Sequence, residues 1–103
     1  MNPYKIPGLY ETEDVPLEEK VIHQLWKIDG INFYWLLAEL DVKKRLAFGY
    51  ANLNDSDMAE WGYFCLKELE DNGASQDKTW KPTKFKEINL EAICAPHDKE
   101  GII

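Results

Sequence analysis

A chain of 103 residues, 45% apolar and 30% charged, has room for one buried core and none for two, and its composition argues against wholesale disorder. The formal charge of −7 and a pI near 4.7 argue against general affinity for nucleic acid or anionic lipid, and favour a basic partner or one that itself binds nucleic acid. The same charge would also serve solubility alone.

The first ten residues lack the basic start, apolar stretch and cleavage site of a signal peptide, and no apolar run approaches a membrane span. The expected location is the cytoplasm, where Cys65 and Cys94 would be reduced thiols. Residues 1–20 carry Pro3, Pro7, Gly8 and Pro16 and an acidic patch at Glu11, Glu13, Asp14, Glu18 and Glu19, a pattern that predicts an extended arm with a turn. Leu9, Tyr10, Val15 and Leu17 are the residues expected to pin this arm, with Tyr10 read as a packing residue. Glu18 and Glu19 are placed to open a helical turn.

From Val21 to Val42 two aromatic-rich apolar runs flank Asp29-Gly30, a strong hairpin signal because a type I′ turn needs positive φ at both central residues. A two-residue turn would oppose Ile28 to Ile31, Trp26 to Phe33, Gln24 to Trp35 and Ile22 to Leu37 on one face. Lys27/Asn32, Leu25/Tyr34, His23/Leu36 and Val21/Ala38 would occupy the other. Glu39 and Asp41 share a strand face that reads as a solvated edge. Residues 41–45 form a charged turn, after which Leu46, Phe48 and Tyr50 alternate with Ala47, Gly49 and Ala51. That period of two predicts a third strand with a bulky face and a small face that a helix can approach closely.

The polar turn Asn52–Asp57 holds Asp55 and Asp57 at a spacing compatible with a cation loop, but it lacks the glycine and distal glutamate of an EF-hand. Trp61, Gly62, Tyr63 and Phe64 predict a fourth strand with core aromatics, leading into a short amphipathic helix with Leu66 and Leu69 on its buried face. Gly73 stands where its C-terminus needs positive φ. Residues 74–82 read as a polar loop. Residues 85–93 read as a fifth strand or a short helix burying Ile88, Leu90 and Ile93, and residues 94–103 as a tail.

Few constellations suggest chemistry. Cys94 and His97 have a spacing that brings two ligands to one zinc ion, but the remaining ligands would have to be His23 and Cys65, which have no paired spacing. A small metal-dependent or cysteine hydrolase using Cys94 and His97 is a distant alternative. No phosphate loop, dinucleotide fingerprint or serine elbow is present. Lys78, Lys81, Lys84 and Lys86 interleave with Trp80 and Phe85, an arrangement able to follow a phosphate backbone and stack on bases. Those six residues define a nucleic-acid-accessory alternative.

Leu9–Asp14, Phe48-Gly49-Tyr50-Ala51-Asn52-Leu53, Glu60-Trp61-Gly62-Tyr63, Leu66-Lys67-Glu68-Leu69-Glu70 and Trp80-Lys81-Pro82 occur in an order that resembles the bacterial domain-of-unknown-function 2958 family. The resemblance spans roughly residues 6–88. It implies a context of plasmids, phages and integrative elements, near antirestriction and DNA-transfer genes, and supplies no catalytic residue. Relatives place Ser before the short helix, where this chain has Cys65, a poorer cap.

The sequence thus predicts one α+β domain over residues 1–103: an arm (1–20), a sheet-and-helix body (21–93) and a tail (94–103). The body is an antiparallel meander of four to five strands with a short helix after the fourth. The expected function is a non-enzymatic cytoplasmic interaction protein without a cofactor, an acidic inhibitor of a host nucleic-acid-handling defence protein of the antirestriction or anti-CRISPR type. Its candidate partner-binding residues are Glu11, Glu13, Asp14, Asp55, Asp57, Glu68, Glu70 and Asp71. Membrane binding is not expected.

Overall fold

The computed structural model describes residues 5–28, 30–54 and 57–93. Strands β1 (Val21–Ile22), β2 (Gln24–Ile28), β3 (Phe33–Asp41), β4 (Leu46–Leu53), β5 (Glu60–Cys65), β6 (Ala74–Gln76) and β7 (Thr83–Lys84) are joined by two short α-helices, α1 (Leu66–Asp71) and α2 (Leu90–Ile93). Single 3₁₀ turns lie at Leu17–Glu19 and Phe85–Glu87. Five strands form an antiparallel sheet in the order β5-β4-β3-β2-β6, and β1 pairs with β7 in a two-stranded sheet. The fold is the small α+β meander expected.

The hairpin forms with its faces as predicted and its register displaced. Trp26 opposes Trp35 and Gln24 opposes Leu37, two residues from the pairing a two-residue turn would impose, because four residues separate β2 from β3. A slip of two keeps the side chains of residues 24–28 and 33–38 on their predicted faces, whereas Ile22, expected beside Trp26, packs with Leu25 and Leu36 on the other. Ile31 is exposed in the turn, its N–H on the Ile28 carbonyl at 3.4 Å. Asp29 lies outside the described residues; Gly30 has φ +90°. The pairing of Ile22 with Leu37 does not form, because the chain breaks at His23 and β1 turns away to pair with Thr83 and Lys84.

Strand β3 carries a bulge between Leu37 and Glu39 where it meets β4. Gly49 lies opposite Leu37, and a Cβ there would stand 1.8 Å from the Leu36 carbonyl oxygen, so the bulge requires glycine. Beyond the bulge, the Leu40 N–H finds the Pro7 carbonyl at 2.9 Å, so the arm covers the β3 edge that β2 has left.

The small face of β4 receives α1, as its alternation predicts. Leu66 and Leu69 pack with Ala47, Trp26, Trp35, Leu37 and Ala74. The helix ends at Gly73 with φ +93°, its N–H on the Glu70 carbonyl at 3.0 Å. Cys65 makes no side-chain cap, and the Leu66 N–H is taken instead by the Arg45 carbonyl at 2.9 Å. The other face buries Ile22, Leu25, Tyr34 and Leu36 beneath Trp80, Phe85, Ile88, Leu90 and Ile93.

One expectation needs correction here and one open alternative is decided. Residues 74–76 are not loop but the edge strand β6, paired with Trp26–Ile28; with the sequence Ala-Ser-Gln, backbone pairing rather than apolar alternation holds it in place. Residues 85–93, expected as a strand or a short helix, take the helical alternative: a 3₁₀ turn is followed by α2, with Ile93 buried and Ile88 and Leu90 half-buried. Among the described residues no helix is long and apolar enough to cross a membrane.

Candidate binding cleft

Glu39 is a carboxylate only 3% exposed in the middle strand of the sheet. Its reading as part of a solvated edge was wrong, because the bulge redirects β3 and the arm folds across it. Buried charge is tolerated only where polar partners replace water. The arm supplies them: the Tyr10 N–H donates to Oε1 at 2.8 Å, the Thr12 N–H donates to Oε2 at 3.0 Å, and the Thr12 hydroxyl donates to Oε2 as well. Thr12 then links this carboxylate to a second buried charge. Lys20, 5% exposed, donates from Nζ to the Thr12 carbonyl and to Oγ1, the latter at 2.8 Å, and lies 6.0 Å from the centre of the Phe48 ring.

This lock sets the conformation of the acidic turn. Tyr10 is held at φ +69°, a region that costs a bulky residue free energy unless its surroundings fix it there. Its ring is not the packing residue expected: Tyr10 is 59% exposed and stands 6.1 Å, centre to centre, from Tyr63, itself 52% exposed. Tyr63 therefore also departs from the expected core position. The arm is pinned by Pro7, Thr12 and half-buried Ile6, Leu9 and Val15 rather than by Tyr10 and Leu17, which is also exposed.

Between arm and sheet lies a cleft of about 440 Å³ walled by Tyr10, Glu13, Lys20, Glu39, Phe48 and Tyr63. Partial loss of solvent pushes the Tyr63 phenol above its ordinary pKa, and the hydrogen bond to Tyr10 and the negative charges of Glu39 and Glu13 act in the same direction.

The expected partner-binding acids divide into separate groups. Glu11, Glu13 and Asp14 stand exposed together on the locked turn, with Glu11 also accepting the Gly8 N–H at 2.8 Å. Glu68, Glu70 and Asp71 are exposed on α1, whose packing partner is the opposite face of the sheet. Arg45 holds Glu70 through two bonds of 2.9 and 3.0 Å, which keep its carboxyl below the usual range, and Lys67 pairs with Asp71 at 3.1 Å. Asp57 is exposed in the turn before β5, and Asp55 lies outside the described residues, as do Cys94 and His97.

The basic stretch places its aromatics inward. Phe85 packs 4.9 Å from both Tyr50 and Trp61, and the Trp80 indole donates to the Ile22 carbonyl at 3.0 Å. Lys84 and Lys86 both pair with Glu19, at 3.3 and 2.7 Å, while Lys78 and Lys81 are exposed. Cys65 is a half-buried free thiol, and among the described residues no group of His, Cys, Asp and Glu is assembled to hold a metal ion.

A scan against protein-family models found no match, and neither the search of curated proteins nor that of solved structures returned a similar chain.

Sequence reasoning named Glu11, Glu13 and Asp14 and missed Lys20, Glu39, Phe48 and Tyr63. The signal for Glu39 was present as a single acid inside the apolar run Phe33–Leu40.

Proposed function

We propose that this chain is a non-enzymatic interaction protein of the cytoplasm, encoded by a mobile element, whose acidic arm captures a basic, nucleic-acid-handling host protein. Its action is that of an antirestriction or anti-CRISPR inhibitor: the arm's carboxylates occupy the surface on which the partner would otherwise bind phosphates. The observation that carries this reading is the lock of the arm. Glu39 and Lys20 fix the backbone from which Glu11, Glu13 and Asp14 project, so the charges are presented without the ordering cost a flexible acidic tail would incur on binding. The net charge of −7 adds long-range steering toward a basic surface. Exposed Tyr10 and Tyr63 beside those charges supply the large, partly apolar contact that interface centres favour.

The test is capture of a basic protein from host lysate by the tagged wild-type chain and by Glu13→Lys/Asp14→Lys, with nuclease treatment and a salt series. Glu11 is left intact because it closes the turn at Gly8. Nuclease-resistant, salt-sensitive capture that the charge reversal abolishes supports the proposal; capture unaffected by the reversal overturns it.

A further inference from the structure

Resting on that reading, we infer that the cleft between the arm and β5 is a receptor for one arginine side chain of the protein partner. Tyr10 and Tyr63, both more than half exposed, line it beside Phe48, with Tyr63 5.1 Å from Phe48 and 6.1 Å from Tyr10, so the cleft offers two exposed rings backed by a third. Ring faces attract cations, and a planar guanidinium both stacks on them and can present a fork of N–H donors to a carboxylate. Glu13 stands on the wall as that carboxylate, with Glu11 and Asp14 on the same turn. Among the described residues the one cation in the wall, Lys20, is tied to Thr12 and offset by Glu39, so the field felt by an incoming side chain is negative. The Lys20 ammonium 6.0 Å from the Phe48 ring centre is already a cation–aromatic contact on this wall. A volume of about 440 Å³ lies within the range of small-ligand sites and suits one long side chain better than a folded surface. Tyr63 lies on β5, an edge strand of the five-stranded sheet, so an approaching loop meets the cleft at the border of the fold.

The test follows the ring resonances of the full chain by NMR during titration with acetyl-Gly-Arg-Gly-amide and with the same peptide carrying citrulline, which keeps the shape and removes the charge. The arginine peptide should shift Tyr10, Tyr63 and Phe48 with millimolar affinity and the citrulline peptide should bind about tenfold more weakly. Tyr63→Ala, at an exposed edge position, and Glu13→Gln, which leaves every ring in place, should each weaken the arginine response. Equal responses to the two peptides, or no response to either, overturn the inference. Partner capture separates this inference from the reading beneath it: loss of capture in Glu13→Lys/Asp14→Lys with full retention in Tyr63→Ala would remove the arginine receptor and leave the acidic arm. Retention in both would remove both.

Discussion

Replacing Glu39 with Gln removes one charge and one acceptor from the arm lock while nearly preserving volume. The amide oxygen can still receive the two Thr12 donors, but its NH₂ then meets the Tyr10 N–H, so one donor loses its acceptor and the other two bond to a neutral one. Bonds to a charged acceptor contribute about 1.5–3 kcal/mol each and neutral ones about 1 kcal/mol, so losing one bond and neutralising two sets the direct loss at about 3–6 kcal/mol. The arm limits the cost by lifting into water, where its donors are solvated, and Lys20 can follow. The expected loss is therefore about 2–3 kcal/mol, a large share of the ~5–15 kcal/mol that holds a small domain together. Native-state hydrogen exchange at the Tyr10 and Thr12 amides reads it directly, as a fall in protection of roughly 30- to 150-fold, while the β3–β4 amides lose less. Adding Lys20→Met should restore part of the stability, because removing the second buried charge ends the imbalance left by the first substitution. Unchanged protection at Tyr10 and Thr12 in Glu39→Gln would refute the lock.

Gly49→Ala drives a methyl group into the Leu36 carbonyl, a backbone obstacle that no side-chain rotation relieves. A loss of about 3 kcal/mol is expected, and with ~4–8 °C per kcal/mol for a domain of this size the Tm should fall by roughly 12–24 °C; a melt within 3 °C of wild type, taken as about the error of the comparison, would show that the bulge is not held by glycine. Glu19 accepts from Lys86 and Lys84, and these bonds hold its carboxyl below the usual carboxylate range. A depressed folded-state value means that the contact stabilises above the unfolded value and is lost as pH falls through the folded one, so the clasp between the turns at Leu17–Glu19 and Phe85–Glu87 should loosen only in acid. Carbon-detected titration should place Glu19 lower than it lies in Lys84→Met/Lys86→Met, and the difference should shrink in high salt; identical midpoints would contradict the assignment.

The faces of β2, of β3 up to its bulge and of β4 were legible because period two survives any even slip in register, as the two-residue displacement of Trp26 from Phe33 to Trp35 shows; Ile22 changed face because the strand breaks at His23. The positive φ of Gly73 and the packing of α1 on small residues were legible for the same local reasons. Glu39 left one signal, a lone acid in an apolar run, but its partners were not legible, because its burial depends on a bulge and on Thr12, 27 residues away, neither of which leaves a mark on the alternation of β3. Tyr10 and Tyr63 were placed inside on hydrophobicity alone, although an aromatic ring with a polar edge is equally at home in a core or on a binding surface. Strand β6 escaped because Ala-Ser-Gln carries no pattern and is paired through backbone to β2.

The most direct test of the acidic-arm account is capture of a basic host protein by wild type and by Glu13→Lys/Asp14→Lys, compared at matched melting temperature. The account predicts that the reversal abolishes a capture that resists nuclease and weakens with salt. Equal capture by the two chains would contradict it.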